Sequence, residues 1–287
     1  MNSKSLPLIS VTMPVYNGER TIDLAIKSLI NQTYTNWLCI IVNDCSTDNT
    51  RNILNKYESN PKFKIIHLSK NGGRGNARQV ALENAEGDFL AFLDADDLYH
   101  PRKLELQVEA FKMHPNLVVC GSLVGSYNLN FELINFRGLA TNSPLLNYQS
   151  FNFPSPPACT MIKLADASLC SYDKRLSVGE DNDFLYCCLK GKSYIVLDQI
   201  LYYYEEVGVL SKSKLINYQF LKLNKIIIKT SGLYRIKLFS KEIVRTLIKI
   251  PAILVLGPEY ISKRRGNSAN LEQITEFNLI VSKLKKQ

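Results

Sequence analysis

The sequence predicts an α/β protein: a Rossmann-like, mostly parallel sheet covered by helices on both faces, followed by a basic helical extension. Three observations carry this. Short apolar, β-branched runs alternate with segments of helical spacing over the first 115 residues, the pattern of parallel strands joined by crossover helices. Each of the first four runs gives way to a polar or glycine-rich stretch, and open α/β sheets bind ligands beyond the carboxyl ends of their strands. The positive charge is confined to the tail: from Lys212 onward sixteen Lys and Arg face four Asp and Glu, a net of +12, whereas the residues before carry −3.

The predicted strands are Leu8–Met13, Trp37–Val42, Phe63–Leu68 and Phe89–Leu93. Between them Ile22, Ala25, Ile26, Leu29 and Ile30 share one helical face, and Ala77, Val80, Ala81, Leu82 and Ala85 another. Pro101, a residue favoured at a first helical position, opens a third helix with Leu104, Leu106, Val108 and Phe111. Beyond about residue 115 the pattern is irregular, with strand-like pieces at Leu117–Cys120, Ala158–Ile162 and Tyr194–Leu197. A short helix is expected in "GEDNDFLYCCLKGK", with Phe184, Leu185, Cys188 and Leu189 inward and Gly191 as its stop.

The composition, 46% hydrophobic and 21% charged, is that of an ordinary globular chain. No run approaches the roughly 18 apolar residues of a membrane span, and "MNSKSLPLIS" lacks the features of a signal peptide. A cytoplasmic location follows as the expectation. Seven scattered cysteines without a C-x-x-C suggest neither a zinc site nor a disulfide framework.

Chemistry concentrates at the strand ends. Phe89–Leu93 runs straight into Asp94, Asp96 and Asp97, and carboxylates so close repel unless a cation or donors compensate. A divalent cation site is one reading, because Mg2+ and Mn2+ prefer carboxylate oxygens and usually retain substrate phosphates. A solvated turn capping the next helix, with Asp97 as the cap, is the other. Placement at the ligand-binding edge favours the cation. "NGGRG" lacks the G-K-[ST] ending of a P-loop and does not match G-x-G-x-x-G, so Gly72 and Gly73 read as a tight turn into a helix.

Taken together, "PVYNGE", "NDCSTDNT", "NGGRGNAR", "FLDADD" and "GEDND" resemble the motifs of the family 2 glycosyltransferases, inverting nucleotide-sugar-dependent enzymes of the GT-A fold. The likeness covers about residues 8–205. It implies a nucleotide-sugar-binding half at 1–115, an acceptor-binding half of the same domain at 116–211, and an extension at 212–287. It puts Pro14, Tyr16 and Glu19 beside base and ribose, Asp44 on the base (usually uracil), and Arg74 and Arg78 near nucleotide or diphosphate. Asp94 and Ala95 fall beside the ribose or sugar, Asp96 is the ligand to Mn2+ or Mg2+, and Asp181 is the catalytic base, with helix capping as its structural alternative. Asn43 stands where many relatives have aspartate. "LYYYEEVGVLSKSK" lacks the arginine and the histidine that many relatives carry there, leaving Lys212 or Lys214 as conjectural phosphate contacts.

In the tail, Lys237, Lys241, Arg245 and Lys249 recur every four residues, with Phe239, Ile243, Leu247 and Ile250 on a different face and Val244 and Ile248 interrupting it. A basic amphipathic helix suits an anionic bilayer surface; nucleic acid is the weaker partner, since no recognition motif accompanies the charge. Resemblance and charge together imply a polyprenyl-diphosphate-linked glycan acceptor in the synthesis of a bacterial O-antigen, capsule or exopolysaccharide, at the inner face of the cell membrane. Transfer to polyprenyl phosphate and a non-catalytic nucleotide-sugar scaffold are the alternatives.

Overall fold

The computed structural model describes residues 6–141, 143–147, 153–174, 176, 179–206, 216, 219–220, 223, 232–263 and 266–287. The first elements follow the sequence pattern: β1 (Ile9–Val15), α1 (Ile22–Ile30), β2 (Trp37–Asn43), α2 (Thr50–Asn55), β3 (Phe63–His67), α3 (Arg74–Glu83) and β4 (Phe89–Phe92). After them come β5 (Leu98–Tyr99), α4 (Lys103–Met113), β6 (Leu117–Tyr127), β7 (Leu133–Arg137), β8 (Leu145–Asn147), β9 (Met161–Lys163), α5 (Leu164–Ala167), α6 (Glu180–Leu189) and β10 (Lys192–Glu205). Two helices close the chain, α7 (Gly232–Lys263) and α8 (Leu271–Lys285).

The sheet runs β7-β6-β9-β4-β1-β2-β3, with β10 along the other side of β6. β1, β2, β3 and β4 are mutually parallel, as are β6 and β10, while β9 lies antiparallel between β4 and β6. Strand alternation sorts the side chains between two layers. Phe89, Ala91 and Leu93 join the core beneath α1 and α4, while Leu90 and Phe92 join the one containing Phe184 and Leu185 of α6. On α6, Phe184, Leu185, Cys188 and Leu189 are buried as expected, and Gly191 after it adopts φ +70, the left-handed stop.

Several expectations change. Pro101 lies in a turn, its carbonyl accepting from Thr33 N, and α4 begins only at Lys103. Pro157–Cys159 form a short 3-10 turn, so β9 starts at Met161 rather than Ala158. The pieces at 117–120 and 194–197 extend into strands of 11 and 14 residues. Cys170 and Cys187 form a disulfide, which packing of α6 beside the end of α5 permits and spacing alone does not reveal.

The chain forms two compact units, Met1–Glu205 with Ser268–Gln287, and Glu206–Asn267. In the first, α8 starts with a capping box between Asn270 and Gln273 and sets Phe277, Ile280, Val281 and Leu284 against Leu98, Tyr127, Ile200 and Tyr203. His100 is buried there with Nε2 3.0 Å from Glu276. In the second unit α7 does not divide as the periodicity suggested. Phe239, Ile243 and Ile250 are half-buried, Glu242, Thr246 and Ile253 are buried, and Val244, Leu247, Ile248, Leu254 and Val255 are exposed. Its outward face is an apolar stripe, with Lys241 and Lys249 exposed alongside. Among the described residues no helix is long and apolar enough to cross a membrane.

Candidate active site

The loops after β1 and β2 are laced together. Asn17 N donates to Ser46 Oγ at 2.9 Å, Gly18 N to Thr50 Oγ1 at 2.8 Å and Glu19 N to Asp48 Oδ2 at 3.0 Å; Glu19 Oε2 in return accepts Asn49 N at 2.8 Å. Glu19 is thus engaged with the second loop, whereas Tyr16 stands 52% exposed at the edge. Pro14 sits in β1 opposite Val42, two residues past the last pairing of β1 with β4.

Asp44, at the end of β2, is buried and holds the third loop. Its Oδ1 and Oδ2 accept Gly72 N and Gly73 N, each at 2.8 Å. Gly73 has φ +80 immediately before α3, a conformation a side chain would strain. The glycines therefore make the expected turn, and they point two amides at Asp44. Asn43 lies 3.0 Å from His67 Nδ1 through its Nδ2, and its Oδ1 accepts Ser46 N.

At the end of β4 the three aspartates part ways. Asp94 accepts Arg78 Nη2 at 2.8 and 3.1 Å, and Ala95 is buried against the core. Asp97 is fully buried and caps no helix. Its Oδ2 accepts Tyr202 Oη at 2.6 Å and its Oδ1 accepts Glu205 N at 2.9 Å, because β5 pairs with β10 before α4 begins. Asp96 is exposed at the rim; partial desolvation, then the charges of Asp94 and Glu205, push its carboxyl up to about 6, with its own backbone amide and Arg74 opposing. Burial, then Asp96 and Asp94, raise Asp97 as well.

The fourth contribution is α6. Gly179, at φ +76, stands at its N-cap, and no side chain caps it. Glu180 is buried, its Oε1 accepting Arg78 Nη1 at 2.5 Å. Asp181 is half-exposed, with Oδ1 accepting Asn182 N at 2.7 Å. Asp181 and Arg78 line one small pocket walled by Phe92, Tyr172 and Phe184. The structure therefore brings Asp94, Arg78 and the start of α6 together. Arg74 is exposed on the same edge, while Ser211, Lys212 and Lys214 lie outside the described residues.

Sequence reading missed one pair. Arg20 makes a bidentate ion pair with the buried carboxylate of Glu205, Nη1 to Oε1 at 2.8 Å and Nη2 to Oε2, joining the first loop to the end of β10. The available signal was the missing arginine and histidine after β10, where a buried acid stands instead.

Among the described residues, no group of three or more His, Cys, Asp and Glu is arranged to hold a metal ion. The oxygen donors and the undercompensated charge of Asp96 nevertheless suit Mg2+ or Mn2+ shared with a diphosphate, since these ions are commonly held by one or two carboxylates plus substrate oxygens.

The profile of glycosyl transferase family 2 matches residues 10–161. A UDP-Glc:alpha-D-GlcNAc-diphosphoundecaprenol beta-1,3-glucosyltransferase from Escherichia coli, WfgD, is 37% identical over 45% of this chain and 47% of its own length. A poly(ribitol-phosphate) beta-N-acetylglucosaminyltransferase from Staphylococcus aureus, TarS, is 31% identical over 68% of this chain and 35% of its own. The chain spans under half the length of these curated relatives. Among solved structures, TarS 1–349 in complex with UDP-GlcNAc aligns with a TM-score of 0.63 at 20% identity, covering 96% of this chain and 80% of that one. The mannosyltransferase PcManGT from Pyrobaculum calidifontis, with GDP-Man and Mn2+, gives 0.63 at 14%, covering 99% and 81%. These likenesses establish the GT-A fold.

Proposed function

Because the chain belongs to glycosyl transferase family 2, we propose that it inverts an anomeric centre while moving a sugar from a UDP donor to a lipid-linked glycan. The product is an intermediate of bacterial cell-surface polysaccharide. The observation that carries this reading is the gathering of Asp44, Asp94 and Asp96 at the strand ends with Asp181 at the start of α6, where Arg78 bridges the end of β4 to α6.

In this reading residues 1–115 hold the donor and 116–211 face the acceptor. Asp44 keeps two lone-pair sites after its backbone bonds and offers them to the base, flanked by Pro14, Tyr16 and Glu19. Asp94 and Ala95 lie beside the ribose or sugar, with Arg74 towards the diphosphate. Asp96 would hold a Mn2+ or Mg2+ ion, which when bound would supply positive charge beside the leaving diphosphate. Asp181 accepts the acceptor hydroxyl proton as its oxygen bonds the anomeric carbon. The bond from that carbon to the diphosphate oxygen breaks on the opposite face, its electron pair leaving with the diphosphate. One displacement suffices, so no covalent enzyme intermediate is needed.

The lipid-linked acceptor is supported by the printed activity of the Escherichia coli relative, and UDP by that relative and by the ligand of the TarS structure. The tail supports peripheral attachment to the inner face of the cell membrane: five exposed apolar side chains of α7 lie beside exposed Lys241 and Lys249, which suits insertion into an anionic interface. Asp181→Asn should cut transfer by roughly a thousand-fold while UDP binding holds; full transfer by that variant would remove Asp181 as the base. Flotation with anionic liposomes should carry the full chain and lose Leu247→Glu/Ile248→Glu. Equal partitioning of the two would reject the membrane contact.

A further inference from the structure

Arg78 reads from the sequence as a contact to the donor, but its neighbours are carboxylates of the protein. It is 7% exposed. Its Nη1 donates to Glu180 Oε1 at 2.5 Å and its Nη2 to Asp94 Oδ1 and Oδ2 at 2.8 and 3.1 Å. Asp94 ends the donor-side strand β4, and Glu180 opens the helix that carries Asp181. One guanidinium therefore spans the two elements whose spacing decides where a hydroxyl can meet a sugar.

Two features make this bridge consequential. The first is where the bridge lands: Glu180 is the first residue of α6, directly after Gly179 in a left-handed conformation and with no side-chain N-cap bond. The second is the setting. Phe92, Tyr172 and Phe184 wall the pocket shared by Arg78 and Asp181, with Tyr172 stacked on Phe184 at 4.2 Å between ring centroids. Charge-assisted hydrogen bonds in such surroundings are stronger and more directional than at a wet surface.

We propose that Arg78 is a positioning residue: by clamping Glu180 to Asp94 it sets the place of Asp181 relative to the donor, without itself holding the donor. The proposal rests on Asp181 being the base. Displacement of a reacting group by about 1 Å can cost on the order of a hundred-fold in rate, and that is the scale of effect a broken clamp should produce.

The test is a double-mutant cycle with kcat, donor KM, UDP affinity in the presence of Mn2+, and melting temperature read in parallel. Arg78→Met and Glu180→Ala should each lower kcat by roughly 30- to 100-fold, while UDP affinity changes by less than about three-fold. The pair together should cost no more than the worse single, because both remove one clamp. Arg78→Lys and Glu180→Gln, which keep one bond each, should recover part of the loss and provide folded protein if the harsher variants fail. Weakening of UDP binding in step with the lost kcat/KM would make Arg78 a donor contact and overturn the proposal. So would costs that add, or a lowered melting temperature with kcat unchanged. Asp181→Asn run alongside separates the two ideas: an active Asp181→Asn rejects the base, whereas additive costs with an inactive Asp181→Asn reject the clamp alone.

Discussion

The carboxylates ending β2 and β4 share one sheet edge, yet the chain treats them in opposite ways: Asp44 is buried, whereas Asp96 is exposed at the rim. Asp44 receives two backbone amides at 2.8 Å from the third loop. Its charge is a structural pin, completed within the protein. Asp96, though exposed, is driven up to about 6 by partial desolvation and by the charges of Asp94 and Glu205, and Asp97 is raised beside it. The difference lies in what faces each carboxylate: two backbone amides at Asp44, other acids at Asp96.

Substitutions at the two positions should break this symmetry in sign. The largest effect is expected from Asp96→Ala, which should lower Mn2+-stimulated donor turnover by about a thousand-fold or more, on the scale of a lost electrostatic stabiliser of the transition state. Turnover within ten-fold of the parent would remove Asp96 from the metal site. Asp44→Ala comes next. Removing the acceptor of two backbone bonds should cost about 2 kcal/mol in urea unfolding, together with weaker UDP binding. Asp96→Asn, by contrast, should stabilise the metal-free protein at pH 7 by less than about 1 kcal/mol, because it removes repulsion from Asp94 and Glu205 at an exposed, solvent-screened position. If both substitutions destabilise alike, the two carboxylates do not differ as described.

Much of the fold and the site is legible in the sequence where a local pattern carries it. β1 to β4 announce themselves because each is a short apolar run with a polar stop, and α1 because its apolar spacing is clean. β6 shows in the sequence only as a fragment because Gly121, Ser122, Gly125 and Ser126 interrupt its apolar run. Two of those glycines lie against larger side chains, Gly121 beside Phe153 and Gly125 beside Leu133. Register shifts in the pairing of β10 with β6 between Leu197 and Ile200 break its alternation. Among site residues, Asp44, Asp94 and Asp96 sit at strand ends and are visible as such. The bonds of Arg78, and the pairing of Arg20 with Glu205 across 185 positions, depend on which elements the sheet order makes neighbours. No local pattern encodes that.

The smallest expected effect is the most direct probe of the charge left at β4. A carboxyl whose pKa is raised on folding binds its proton more tightly in the folded chain than in the unfolded one. It therefore contributes stability below the ordinary value of 3.8 that is lost as the pH rises through about 6. Asp97 acts in the same direction. Carboxyls held low in the folded chain despite partial burial, Asp23 through Lys27 and Tyr57 and Asp48 through Thr50 and the Glu19 amide, act oppositely, and their contribution fades only as the pH falls towards 4 and below. The interval from pH 4.5 to 6.5 thus isolates the β4 end. Metal-free parent protein should lose less than about 1 kcal/mol relative to Asp96→Asn across that interval, since solvent screens the exposed carboxylate, measured by urea unfolding in the presence of a chelator. Parallel pH profiles for the two proteins would mean that Asp96 is already compensated by the chain, as Asp44 is, and that the β4 end is not waiting for a cation.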